Sequence, residues 1–168
     1  PGVDTLLGPE MRSTGEVMGM DYEYGLAFAK AEEAAGAKLP SAGGTVFITV
    51  KDTDKPKLLP LAKQLANLGF KLVATKKTAL YLTEHNVPVQ EVHKIGEGSP
   101  TCVDIIKQGE VQLVINTPSG KRSRTDGYEL RRAAWEFNVP IITTIHAARA
   151  AIEGITALKK KGYTIHSL

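Results

Sequence analysis

The 168-residue sequence has one cysteine, Cys102, which excludes an internal disulfide and a cysteine-rich metal site. No base partner stands beside it, so it reads as helix filling, and a reducing, cytoplasmic setting is the expectation. The four histidines, His85, His93, His146 and His166, show no ligand spacing such as HExxH, and no metal site is expected. Aromatic residues make up 6% of the chain and do not cluster with basic ones, which argues against base stacking and a nucleic-acid partner. No apolar run approaches the roughly 18 residues that cross a bilayer, so no membrane association is expected. Neither GxGxxG nor GxxxxGK[ST] occurs, which leaves dinucleotide enzymes and P-loop ATPases without support.

What is present is a 42% hydrophobic chain with a formal net charge of +3, enough apolar residue for a real core. The charge is unevenly placed. Residues 1–40 hold seven acids against three bases, net −4, while residues 41–168 hold the remaining 18 bases and 11 acids, net +7. A basic excess of this kind favours an anionic partner without naming it.

The first 40 residues offer one short helix from about Asp21 to Ala35, with Tyr24, Ala27, Phe28 and Ala31 on one face. That is too little for a core, so the segment reads as the tail of a larger unit, with its apolar face packed outside this chain and its removal costing little stability. Leu39 to Gly44 reads as a linker. A regular alternation follows. The β-branched run at 45–50 predicts a strand covered on both faces, Asp52 to Asp54 offers cap oxygens, and Leu58, Leu61, Ala62, Leu65 and Leu68 recur at helical spacing. Pro60 predicts a late start or a bend in that helix. Strands at 70–74, 89–92, 112–115 and 139–143 alternate with helices at about 76–85, after Ser99-Pro100 as N-cap and N1, around Leu130, Ala133, Ala134 and Phe137, and at 144–161. Trp135 reads as packing. Short connections between alternating strands and helices predict a parallel sheet of about five strands between two helical layers.

Right-handed crossovers put every strand's C-terminal end on one edge, where ligands of such sheets bind. The segment KLVATKKTAL, residues 71–80, runs a strand into a helix whose N-cap is Thr75, so unsatisfied N–H groups, two hydroxyls and two ammonium groups meet there. That combination suits a phosphate. The loops of this edge also supply Lys55, Lys94 and Lys121, which favours an anion of nucleotide size over duplex DNA. His93 beside Lys94 reads as a surface residue. Arg122, Arg124, Arg131 and Arg132 offer an interface for other parts of a larger protein or for a homo-oligomer, or simply a solvated face.

Residues 7–18, LGPEMRSTGEVM, closely resemble the end of the synthetase part of carbamoyl phosphate synthase large chains. Beyond Gly44, the segments TVKDTDK, ATKKTA, KIGEG, INTPSG and NVPIITT follow in an order that resembles the C-terminal regulatory domain of those chains, which has the methylglyoxal-synthase-like fold. The resemblance implies a three-layer α/β/α sandwich with a parallel, Rossmann-like sheet. It implies residues 1–40 as the end of an ATP-grasp synthetase unit plus linker, and 41–168 as the regulatory domain. It further implies an effector phosphate held by Lys55, Thr75, Thr78 and Lys94, a ribose and pocket lining from Asn116, Thr117 and Thr49, and an ornithine contact at Thr143. Pro118 departs from the hydroxyl residue of the enteric-type pattern, so the ribose contact there differs.

By the same resemblance, the parent chain is a glutamine-hydrolysing ligase that uses ATP with Mg or Mn, pairs with a glutaminase small chain, and feeds pyrimidine and arginine biosynthesis. The fragment itself is expected to bind an effector of the UMP or IMP type, to need no cofactor and to be non-catalytic. The competing reading is a stand-alone lyase acting on a triose phosphate. Methylglyoxal synthases carry a catalytic aspartate where Ser99 stands and a catalytic histidine near Ser123, and Glu97 is the nearby carboxylate in the sequence. The lyase reading therefore lacks both of its essential groups.

Overall fold

The run Thr45–Thr49 becomes a strand because its β-branched and aromatic side chains fit a pleated surface buried on both sides. In a computed structural model, which describes residues 16–41, 43–118 and 124–162, this strand, β1, is the centre of the sheet. It is joined by β2 (Lys71–Thr75), β3 (Gln90–Val92), β4 (Leu113–Asn116) and β5 (Ile141–Ile142) in the order β3-β2-β1-β4-β5. Every pair is parallel. The chain leaves β1 towards β2 and β3, then returns to β1's other side for β4 and β5, so strand order reverses between β1 and β4.

Alternation along β1 divides the interior in two. Val46 and Ile48 face α2 (Lys55–Asn67), α3 (Lys76–Glu84) and α6 (Ile145–Lys161), through Leu58, Leu65, Leu82, Ala151 and Ile155. Phe47 faces the opposite way, onto α4 (Cys102–Lys107) and α5 (Arg124–Glu136), through Cys102, Ile106, Leu130 and Ala133. The three-layer α/β/α sandwich and its five parallel strands are thus as the sequence predicts.

Several local expectations are corrected. The helix after β1 does not start late: a turn of 3₁₀ helix at Asp52–Asp54 leads straight into α2, which begins at Lys55 and keeps Pro60 inside it, without the N–H that proline cannot supply. The cap of α4 is Thr101 rather than Ser99, because Thr101 and Asp104 satisfy each other's backbone in a capping box. Phe137 and Trp135 do not face the core. Trp135 is 81% exposed and Phe137 44%, and α5 packs through Leu130, Ala133 and Ala134 instead.

The largest correction concerns α1 (Tyr24–Ala34), which packs within the chain against α6. Its buried residues are Gly25, Leu26 and Ala29; of the expected face, Phe28 packs against the core partly buried, whereas Tyr24 is 67% exposed. Leu26 and Ala29 join Leu39 and the α6 residues Ile152 and Ile155 in the main core. The two helices touch backbone to backbone: a Cβ on Gly154 would lie 2.6 Å from the Gly25 carbonyl oxygen, and one on Gly25 would lie 2.7 Å from the Gly154 nitrogen. Lys30 anchors the approach to α1 by pairing with Asp21 at 2.8 Å and donating to the Met20 carbonyl.

The capping box gives a pH-dependent contribution. The Thr101 N–H and hydroxyl each donate to the Asp104 carboxylate at 2.8 Å, and these bonds hold its pKa below the usual carboxylate value. The folded pKa is the lower one, so the stabilisation is complete above the unfolded value of about 4 and is lost as pH falls through the folded value. Asp104→Asn should therefore flatten the loss of stability below about pH 4. Thr101→Ala should cost about 1 kcal/mol at pH 7, read from urea midpoints.

Candidate functional site

The register brings polar residues level at the C-terminal edge of the sheet: Thr49 pairs with Asn116, and Thr75 with Val92. Between these strand ends lies a cleft of about 190 Å³ whose floor is Phe47, Cys102, Ile95 and Leu130 and whose walls are polar. It opens where strand order reverses, the place at which open α/β sheets take ligands.

The walls are cross-braced by threonines. The Thr75 hydroxyl donates to Thr49 Oγ1 at 3.2 Å, so Thr75, although it is the N-cap of α3, does not cap the helix with its side chain. The first N–H groups of α3 are consequently not met by that side chain. Thr78, 1% exposed, accepts from the Val50 N–H, and Thr117 accepts from the Lys51 N–H at 3.1 Å. Each of these two hydroxyls has used an acceptor position and still has its own hydrogen to donate. Lys51, Lys77 and Lys94 add ammonium groups to the lining, all on exposed residues.

Six of the eight residues singled out from sequence meet here: Thr49, Thr75, Thr78, Lys94, Asn116 and Thr117 all line the cleft. Lys55 lies outside its lining. That lysine is 9% exposed, and its ammonium donates to the Lys77 carbonyl at 2.9 Å, pairs with Asp52 at 2.8 Å and sits 5.9 Å from the centre of the Tyr81 ring. Thr143 is exposed at the end of β5 and does not line the cleft. Pro118 does line it. Lys121 and Ser123 lie outside the described residues.

Sequence reasoning missed Asp52 and the depth of the apolar floor. Asp52, not Glu97, is the carboxylate that lines the cleft. The Lys55 ammonium holds its carboxyl below the usual range, first by a hydrogen bond and then by charge, and Lys77 and Lys94 add to the field. The signal for Asp52 was its place in the turn after β1. Only the fold shows that this turn faces the lysines after β2 and β3. His93 is exposed and outside the lining, and its backbone bonds to Pro100 and Cys102.

Among the described residues no cluster of acidic, histidine and cysteine side chains could hold a metal ion, and no helix is long and apolar enough to cross a membrane.

The profile of the MGS-like domain family matches residues 57–143. Over its whole length the chain is 54% identical to the "Carbamoyl phosphate synthase large chain, C-terminal section" of Methanopyrus kandleri, covering 31% of that protein. It is 50% identical to the "Carbamoyl phosphate synthase large chain" of Archaeoglobus fulgidus, covering 16% of it. The chain thus spans a third or less of the length of these curated relatives. Its fold is similar to the crystal structure of methylglyoxal synthase from Elizabethkingia anophelis NUHP1, with a TM-score of 0.55, 20% identity, and coverage of 68% of this chain and 79% of that one.

Proposed function

Because the chain belongs to the MGS-like domain family, we propose that it is the allosteric part of a carbamoyl phosphate synthase large chain and binds a nucleoside monophosphate of the UMP or IMP type in the cleft. The observation that carries this reading is the start of α3. Its cap side chain is turned away to Thr49, and its N–H groups open beside the Thr78 hydroxyl, Lys77 and Lys94. A phosphate offers the charge and the acceptors that such a helix terminus lacks. Asn116 and Thr117, level with it across β1, stand where a sugar attached to that phosphate would lie.

In this reading residues 1–40 are the end of the synthetase unit plus linker, and 41–168 are the regulatory domain. The ligase activity, its ATP with Mg or Mn, the glutaminase partner and the place in pyrimidine and arginine biosynthesis belong to the longer protein. The setting is cytoplasmic. Thr143, exposed on the same sheet edge but away from the nucleotide, is the candidate for an ornithine contact. Lys55 supports the phosphate corner by fixing the first turn of α3 from behind.

The lyase reading is weaker. Proton abstraction needs a positioned carboxylate and an electrophile such as imidazole. Ser99 stands where the resemblance puts the catalytic aspartate, and no histidine is among the described residues that line the cleft.

Calorimetric titration of the chain with UMP, IMP, phosphoribosyl pyrophosphate and dihydroxyacetone phosphate tests both readings. Saturable binding of a nucleoside monophosphate, with no methylglyoxal formed from dihydroxyacetone phosphate, is expected. Methylglyoxal above a protein-free control, or no binding of any of the four, would overturn the proposal.

A further inference from the structure

Among the described side chains that line the cleft, Asp52 is the single carboxylate in a wall otherwise built of ammonium, hydroxyl and amide groups. Its side chain is 75% exposed, and its Oδ1 lies 2.8 Å from the ammonium of Lys55, which is itself bound to the first turn of α3 through the Lys77 carbonyl. The carboxylate is therefore tethered beside the helix terminus that would receive a phosphate.

We propose that Asp52 is a specificity-determining residue that turns away di- and triphosphates in favour of monophosphates. This rests on the reading of the cleft as a phosphate site. While the cleft is empty, the carboxylate neutralises Lys55 and tempers the fields of Lys77 and Lys94, which hold it ionised in turn. Once an anion enters, the same charge repels it, and Coulomb repulsion grows in proportion to the ligand's charge. A monophosphate carries about two negative charges, and each further phosphate adds at least one, so the penalty rises along the series while the donors of the α3 terminus serve only one phosphate. Rejection of this kind is achieved by a repulsive element and not by a better contact.

Asp52→Asn keeps an oxygen for Lys55 and removes the charge. Asp54→Asn is the matched control: Asp54 lies in the same turn and is not itself among the lining residues, although its partner at 3.7 Å, Lys51, is one, so this variant reports what a carboxylate one step removed contributes. Both variants and the parent chain are titrated with uridine mono-, di- and triphosphate and with inorganic phosphate in metal-free buffer at low ionic strength. The expected result is that D52N binds the monophosphate roughly two- to fivefold more tightly and the triphosphate roughly tenfold or more, narrowing the mono-over-tri preference several-fold, with the effect shrinking in high salt and much smaller in D54N. If the parent binds the monophosphate but the preference is unchanged in D52N, or shifts alike in D54N, the assignment to Asp52 is overturned and the site stands. Weaker monophosphate binding by D52N, with inorganic phosphate unaffected, would overturn it too by making Asp52 an acceptor for ligand hydroxyls. If none of the four ligands binds the parent or D52N, the phosphate site fails and the role of Asp52 fails with it.

Discussion

Leu26→Ala is expected to destabilise the chain by about 2–5 kcal/mol and to lower its melting temperature by roughly 4–20 °C. Leu26 is 1% exposed and packs with Ala29 and Leu39 into the same core as Ile152 and Ile155, so truncation leaves a cavity that two helices in backbone contact cannot close. Removing residues 1–40 altogether should cost more, because it strips Leu26 and Leu39 and bares the outer face of α6. Tyr24→Ala is the control: at 67% exposed it should change stability by no more than about 0.5 kcal/mol. Thermal melts of the three variants separate the two descriptions of this segment. An unchanged melting temperature for Leu26→Ala would mean that α1 is an ornament on a core complete without it.

Lys94→Ala should weaken binding of the preferred nucleotide by one to two decades, from the loss of a charge-assisted hydrogen bond of about 1.5–3 kcal/mol. Lys94 lines the cleft on an exposed residue, so the fold should be untouched. Thr78→Val should weaken binding less and also lower stability by about 1 kcal/mol, because the Val50 N–H loses its acceptor in a buried place. Lys76→Ala is the informative control. Lys76 is exposed and does not line the cleft, so a general basic surface would lose as much affinity from this change as from Lys94→Ala, whereas a defined corner would not. Calorimetry at moderate salt distinguishes them, and equal losses would dissolve the corner into a diffuse positive surface.

The sheet was legible because its signals are local. A β-branched run such as Thr45–Thr49, or a leucine ladder such as Leu58, Leu61 and Leu65, declares its element without reference to anything distant. Thr75 was likewise readable as a cap from its neighbours. What its hydroxyl does was not, because Thr49, its partner, lies 26 positions earlier and reaches it only through the parallel pairing of β1 and β2. Lys55 shows the same limit: it stands at the right edge of the sheet, yet its ammonium is drawn inward by a carbonyl of α3. Periodicity also misjudged amphipathic faces wherever a glycine does the packing. On α1, Tyr24 suggested a face that is exposed, while Gly25 marks the packed one by allowing a closer approach than any side chain permits. Phe137 differs: its N–H still bonds to the Ala133 carbonyl in helical phase, yet at the end of α5 the residue is 44% exposed.

The glycine contact between α1 and α6 has a mechanical meaning. Side chains at a helix crossing act as bearings, since they change rotamer and let one rod slip past another, but two backbones in contact have nothing to rearrange. The pair therefore moves as a single strut. One end of α6 begins at Thr144, on the sheet edge that carries the cleft, and Gly154 meets α1 roughly 15 Å further along at 1.5 Å per residue. The contact ties α1 to the helix that starts at the cleft edge, so along their crossing neither helix can slide without the other.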